Sequence, residues 1–215
     1  MKKNTNIKTI ISRLRKEFPD AKCALEHETP HQLLVSTILS AQCTDARVNM
    51  VTPSLFKKYK TVKDFASANL KELEKEIYST GFYKNKAKSI IASAQVLLEK
   101  FQEKIPQTVD ELTSLPGVGR KTANVVLGTA FNIAMGIVVD THVSRLSQRL
   151  GFTKQTNAEK IEQDLMSIVP KKHWILFSHW MILHGRKTCD ARKPKCKDCV
   201  LNDVCPSAKR FEVLG

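Results

Sequence analysis

The run Leu115-Pro116-Gly117-Val118-Gly119-Arg120-Lys121 leaves the chain around it few ways to fold. Upstream, Thr108 with Glu111 three residues on reads as a capping box opening a short helix. Downstream, Ala123, Val126, Leu127 and Ala130 fall at helical spacing, so a second helix begins near Gly119. Between them Pro116 stops the first helix, and Gly117 and Gly119 allow backbone angles that a side chain would forbid. The expected product is a tight hairpin between two helices, spanning about 108–131. Its amides lie at a helix N-terminus, a ready site for a phosphate oxygen. Lys121 falls in the first turn of the second helix, where the positive end of the macrodipole disfavours an ammonium. A lysine there is poorly placed for stability, which points to a chemical role.

The rest of the chain is helical almost throughout. Ile7, Ile10, Ile11, Leu14 and Phe18 mark one apolar face, ended by Pro19. Gln32 to Leu39 is evenly apolar and reads as a buried helix. Ala87, Ile90, Ile91, Ala94, Leu98 and Phe101 mark a long amphipathic helix with Lys84, Lys86 and Lys88 near its start. Val143, Leu146 and Leu150 form another, closed by Gly151, and Asn157 caps one carrying Ile161, Leu165 and Ile168. Trp174 to Leu183 is apolar nearly all round, as a central core helix is. No alternating run reads as a strand, although Ile137-Val138-Val139 suits a locally extended segment. The fold class is all-α.

Charge narrows the partners. Thirty-five Lys and Arg stand against 21 Asp and Glu, a formal net charge of +14 with no single basic tail to account for it. Such an imbalance favours a polyanionic partner. No apolar run reaches spanning length, and Met1-Lys2-Lys3 is not followed by a signal-peptide core. A soluble, cytoplasmic protein with no membrane association is expected.

Cysteine use is uneven. Cys23 and Cys43 are isolated and read as small buried hydrophobes. Cys189, Cys196, Cys199 and Cys205 are packed at the C-terminus with six, two and five residues between them. In an intracellular protein such a group is a metal or iron–sulfur site more often than a pair of disulfides. Ligand count alone suits a structural zinc ion and a [4Fe-4S] cluster equally. Arg192, Lys193, Lys195 and Lys197 crowd the same loop as a solvated surface or a phosphate-facing patch. Nineteen positions beyond Lys121, Asp140 stands just before an apolar-periodic helix, the place of an N-cap. An N-cap carboxylate accepts backbone N–H bonds that hold it ionised, so it can steady a developing cation.

Together, the hairpin with Lys121, the segment Val139-Asp140-Thr141-His142, the cysteine spacing and Leu39-Ser40-Ala41-Gln42-Cys43-Thr44-Asp45 resemble the endonuclease III family of DNA glycosylases, within the helix-hairpin-helix superfamily. The resemblance runs from about Phe18-Pro19 to Cys205. It implies two helical domains, one over 22–133 with the hairpin and one built from 1–21 plus 134–215 with the cluster loop 189–205, and an active site in the cleft between them. It implies one [4Fe-4S] cluster on Cys189, Cys196, Cys199 and Cys205, and a monomer acting on double-stranded DNA with damaged pyrimidines or abasic sites. Lys121 is then the nucleophile that attacks C1′ of a flipped-out nucleotide, expels the base and forms a Schiff base. β-Elimination follows. Such an amine must be deprotonated to attack, and burial together with the helix N-terminus is expected to favour that form. Asp140 stabilises the cationic sugar. Gln42 and an apolar residue, Phe82 here where many relatives have Leu, fill the hole left by the flipped base. Lys84, Gly117, Gly119, His142, Arg192, Lys193 and Lys195 are the further DNA-contacting candidates, and Lys86 flanks Phe82 as Lys84 does.

Other residues are better left structural. His173, His179 and His184 are not spaced as a metal site: the pair that could share a helix face, His173 and His184, would lie about 16 Å apart along the axis. Trp174 and Trp180 suit core packing, and Tyr83 a packed ring. Two other readings remain at this point: a monofunctional, adenine-specific glycosylase of the same superfamily, which lacks a lysine at the Lys121 position, and a non-enzymatic DNA-binding module that would leave Lys121 and Asp140 idle.

Overall fold

The computed structural model describes residues 6–212, and among them every regular element is helical. In chain order the α-helices are α1 (Ile7–Glu17), α2 (Pro30–Leu39), α3 (Asp45–Lys58), α4 (Val62–Ala66), α5 (Leu70–Glu76), α6 (Tyr83–Phe101), α7 (Val109–Thr113), α8 (Arg120–Phe131), α9 (Thr141–Arg149), α10 (Ala158–Ile168), α11 (Trp174–Lys187) and α12 (Ala208–Glu212). No helix of the described residues is long and apolar enough to cross a membrane. Ile137-Val138-Val139 is irregular chain and joins no sheet.

The chain divides into two compact units, one of Cys23–Met135 and one of the described residues up to Lys22 together with those from Gly136 on. The contiguous unit holds α2 to α8. Its centre is α2, which starts sharply because Thr29 accepts a bond from the Gln32 amide and Pro30 needs no amide partner in the first turn. From Leu33 to Leu39 every α2 residue is buried, so this helix has no polar face to orient. It packs against α3, α6 and α8, and α6 in turn packs against α4 and α5. Leu33, Leu39, Leu55, Phe65, Leu73, Ile77, Ile90 and Leu127 close the core. Cys23 and Cys43 are only partly buried, at the edge of that core rather than within it.

The discontinuous unit joins α1 to α9–α12. Ile10, Ile11 and Leu14 of α1 pack with Val143, Leu146, Leu165, Phe177, Trp180 and Met181, as the apolar spacing in each helix requires. Asn157 caps α10 through the Glu159 and Lys160 amides, and Gly151 follows α9 with a φ of 73°. The apolar girdle of α11 is buried mainly through Phe177, Trp180, Met181 and His184, while Leu176 stays 40% exposed.

Three interactions build the hairpin. Thr108 caps α7 by accepting from the Glu111 amide, and its hydroxyl donates to the Glu111 carboxylate at 2.7 Å. Leu115-Pro116-Gly117-Val118 forms a tight turn closed by the Val118 amide on the Leu115 carbonyl at 3.1 Å, with Gly117 at φ 77°. The turn is seated on α6: Ser93 donates to the Pro116 carbonyl at 2.7 Å, and a Cβ on Gly117 would stand 2.5 Å from Ser89 Cβ. Gly117 is therefore required twice, by its backbone angle and by its neighbour. Gly119 is not, contrary to the expectation for both glycines. Its φ of −95° is ordinary extended backbone and a Cβ there would meet nothing within 4 Å.

Gly117→Ala should accordingly lower unfolding stability by about 2–4 kcal/mol, combining overpacking with a left-handed side-chain residue. Gly119→Ala should cost no more than about 1 kcal/mol. Denaturant titration of the two variants checks the contrast, and equal losses would contradict it.

Candidate active site and cysteine pocket

Lys121 is the second residue of α8, and the N-cap before it, Gly119, has no side chain to bond the first-turn amides. That is the arrangement the sequence implied at the helix start. Lys121 stands exposed, however, so the burial expected for it is not found in the free chain. Its side chain projects from a rigid element, because α8 packs on α2 and α7.

Asp140 is the N-cap of α9. One carboxylate oxygen accepts from the Val143 amide at 2.8 Å, and the other lies 3.0 Å from His142 Nδ1. The carboxylate is thus held at both oxygens, with its side chain 18% exposed. His142 is fixed from behind by α11, where a Cβ on Gly185 would come within 3.1 Å of His142 Cβ and Cδ2. The absent side chain at Gly185 lets α11 approach α9 closely enough to pin the imidazole beside Asp140. Sequence reading placed Asp140 at the N-cap and His142 in the first turn of the helix but carried no signal for Gly185, which acts across two helices.

Gln42 and Phe82 share an unusual feature. Both are non-glycine residues in the left-handed region, at φ 53° and φ 48°, and both are exposed, Phe82 by 63%. Such conformations cost about 1–3 kcal/mol each and persist where the surroundings impose them. Tyr83 packs on Tyr78 with ring centroids 4.8 Å apart, as a packed ring should. Lys84 is exposed, as a DNA-contacting or solvated lysine would be. Lys86 is neither. It is 5% exposed, its ammonium donates to the carbonyls of Leu39 and Thr80, and burial lowers its pKa. A phosphate contact or a solvated face is therefore ruled out for it.

Cys189, Cys196, Cys199 and Cys205 line one pocket, walled by Leu146, Leu150, Leu201 and Phe211 and edged by Lys195. Nitrogen donors surround the sulfurs: Arg149 Nη1 lies 3.2 Å from Cys189 Sγ, the Leu201 amide 3.4 Å from Cys199 Sγ and His184 Nε2 3.5 Å from Cys199 Sγ. Burial, with the other three cysteines adding to it, pushes the Cys199 thiol up to about 11. Four thiolates would repel one another in so apolar a pocket without cationic charge among them. Among the described residues no three or more His, Cys, Asp or Glu side chains are grouped to hold a metal ion in the free chain.

Arg149 and His184 were not candidates in the sequence, since their sulfur partners are 40 and 15 residues away. His184 is a buried structural histidine, its Nδ1 3.2 Å from Glu17 Oε2. Arg192, Lys193 and Lys195 are all exposed, on a loop turned by Asp190, whose carboxylate accepts the Arg192 and Lys193 amides.

Comparison with known proteins places these groups in a family. Residues 35–171 match the HhH-GPD superfamily base excision DNA repair protein family. Endonuclease III of Synechocystis sp. is 53% identical over 200 residues, covering 93% of this chain and 91% of that protein. A solved non-covalent endonuclease III–DNA complex is 45% identical, covers 99% of this chain and 100% of the solved one, and superposes with a TM-score of 0.94. A trapped endonuclease III–DNA covalent intermediate gives 45% identity and a TM-score of 0.92, with 98% and 99% of the two chains covered. With the hairpin, the capped aspartate and the cysteine spacing in place, the chain belongs to the endonuclease III family of helix-hairpin-helix base excision repair proteins.

Proposed function

We propose that this chain excises oxidised pyrimidines from double-stranded DNA through Lys121 and then cuts the strand at the abasic site. It is a DNA glycosylase and abasic-site lyase, as its family membership establishes. The observation that carries the residue assignment is the exposed Lys121 at the start of α8, on a hairpin built for a phosphate contact. The lesion range, a cytoplasmic site of action and a monomeric working state belong to the same reading.

In that chemistry the neutral amine of Lys121 attacks C1′ of a nucleotide extruded from the duplex. The N-glycosidic bond breaks, its electron pair leaves with the base, and the sugar ring opens to a Schiff base with the lysine. Loss of a C2′ proton then expels the 3′ phosphate by β-elimination. Asp140 supplies fixed negative charge while the sugar is cationic, and its two anchored oxygens need little reorganisation at that moment. His142 orients that carboxylate and lies in the first turn of α9 for a DNA contact. The start of α8, where the N-cap residue offers no side chain to the amides and Gly117 and Gly119 precede them, takes a backbone phosphate. Gln42 and Phe82 enter the gap in the stack. Lys84, Arg192, Lys193 and Lys195 add phosphate contacts that carry no sequence preference.

The spacing of six, two and five residues between the four cysteines, which resembles the cluster loop of this family, favours a [4Fe-4S] cluster over the zinc ion that ligand count alone would equally allow. Cys189, Cys196, Cys199 and Cys205 would hold it, and Arg149, Leu201 and His184 would donate toward the sulfurs. Such a cluster would give the basic loop carrying Arg192, Lys193 and Lys195 a rigid mount.

Lys121→Gln should keep the fold and lesion binding yet lose both excision and the borohydride-trapped adduct, since an amide forms no Schiff base. Asp140→Asn keeps most of the cap and should change stability by no more than about 1 kcal/mol. Its excision should fall by orders of magnitude, while cleavage of a preformed abasic site, where no base must leave, falls less. Equal losses on the two substrates would refute the charge-stabilising role.

Gly119→Asp should separate stability from binding. An N-cap aspartate improves α8 by a few tenths of a kcal/mol, while its charge at the phosphate site weakens binding to every duplex, damaged or not. Filter binding across a salt series and thermal unfolding should move in opposite directions, and unchanged affinity would remove the hairpin from the interface.

Iron and sulfide analysis of anaerobically prepared protein should give one four-iron cluster per chain. Cys199→Ser should lose it and Cys23→Ser should not. Stoichiometric zinc without iron would overturn the assignment.

A further inference from the structure

The buried Lys86 performs none of the roles assigned so far. Its ammonium donates to two carbonyls from distant parts of the contiguous unit, Leu39 at 2.7 Å and Thr80 at 2.8 Å. Leu39 is the last residue of α2, and its carbonyl is one of those a helix end leaves without an intrahelical partner. Thr80 ends the short 3₁₀ turn Tyr78–Thr80. Three residues beyond Leu39 comes Gln42, and two residues beyond Thr80 comes Phe82. These are two of the non-glycine residues held in the left-handed region, both of them exposed.

Stability alone does not explain this lysine. Burying an ammonium costs several kcal/mol of hydration, and an apolar side chain of similar length would pack the same space without that penalty. What the ammonium does, and an apolar side chain cannot, is bond two loop origins at once. The bonds are charge-assisted, and the carboxyl end of the α2 dipole favours a cation there. Its own backbone is fixed, because α6 packs against α2, α4 and α5. Each loop then has only two or three residues in which to reach its left-handed position. Phe82 has no packing reason to be there: it is largely exposed, and a Cβ on the preceding Gly81 would meet nothing within 4 Å.

We propose that Lys86 is a positioning residue that ties together the bases of the two loops bearing Gln42 and Phe82, so that both side chains are presented to the DNA stack in one preset arrangement. The inference rests on the reading of Gln42 and Phe82 as the groups that fill the vacated stack. Preorganisation of this kind lowers the ordering cost that two free loops would incur on binding. It predicts that Lys86 matters to the enzyme through those two side chains and not independently of them.

A double-mutant cycle tests it on the full cluster-bearing protein. Excision of thymine glycol from a duplex is measured for Lys86→Met in the otherwise unchanged chain and in the Gln42→Ala/Phe82→Ala background, with fluorescence of 2-aminopurine opposite the lesion as a reading of stack filling. In the unchanged chain the Met variant should lose about tenfold in excision rate and most of the fluorescence change, within the range of coupled neighbours. In the Ala background it should lose almost nothing further. Affinity for undamaged duplex, and its salt dependence, should stay as they were. The same fold-loss in both backgrounds, or no loss in either, would overturn the role given to Lys86 while leaving the stack-filling reading intact. An Ala background that excises and fluoresces like the unchanged chain would instead overturn the stack-filling reading, and this inference with it. If Lys86→Met does not fold, Lys86→Gln, which keeps one N–H donor in reach of a carbonyl, takes its place in the same cycle and is judged by the same outcomes.

Discussion

The contact between Gly117 and Ser89 sets the geometry of the contiguous unit's working parts. It allows the hairpin to lie directly on α6, with Ser93 bonding the Pro116 carbonyl one turn further along. Because the turn is seated there, the start of α8 is fixed, and with it the stem of Lys121. The same helix reaches back through Lys86 to the loops of Gln42 and Phe82. A single nineteen-residue helix thus sets the position of a nucleophile candidate and of two stack-filling candidates. Small residues at 89 and 93 and a long polar one at 86 are what that duty requires: close approach along its middle, reach near its start.

Asp140 is controlled by a different device. Its backbone begins a helix, so one oxygen is committed to an amide, and the second is committed to His142. The imidazole is in turn confined by the bare Cα of Gly185 on α11. An anion held in this way is available to a passing cation without having to be reoriented first, which is the condition under which fixed charge lowers a barrier most. In both units a missing side chain, at Gly117 or Gly185, sets the position of a functional group that belongs to another element.

Much of this was legible in the sequence because it is local. Thr108, Asp140 and Asn157 announce helix starts by side chain-to-amide bonds two or three residues long, and the apolar spacing of α1, α6, α9 and α10 needs no tertiary knowledge. The hairpin was legible too, with one misreading. Gly119 resembles Gly117 in the text of the chain, but only a φ and a neighbour distinguish a required glycine from a merely open one. Lys86 was illegible for the same kind of reason. With Lys84 and Lys88 on either side it reads as one more cation on a wet helix face, and nothing local reveals that its tip lies against Leu39, 47 residues earlier. Arg149 and His184, which face the cysteine sulfurs from other helices, were hidden likewise. Side-chain roles set by long-range closure leave no periodicity to read.

The split arrangement of the chain has a bearing on how the protein is made. Helix α1 packs with α11 and shares its apolar core with α9 and α10, all from the far half of the sequence, and its Arg13 pairs with Asp203, 190 residues on. At ribosomal rates of about 5–20 residues per second, α1 waits on the order of 10–40 s for its partners to be synthesised. During that interval Ile10, Ile11 and Leu14 are an apolar stripe with nothing native to cover it. The unit from Cys23 to Met135, by contrast, has all its own contacts once it leaves the exit tunnel. Nascent chains of this enzyme should therefore pass through a stage in which the hairpin is already folded while the apolar stripe of the N-terminal helix is still uncovered.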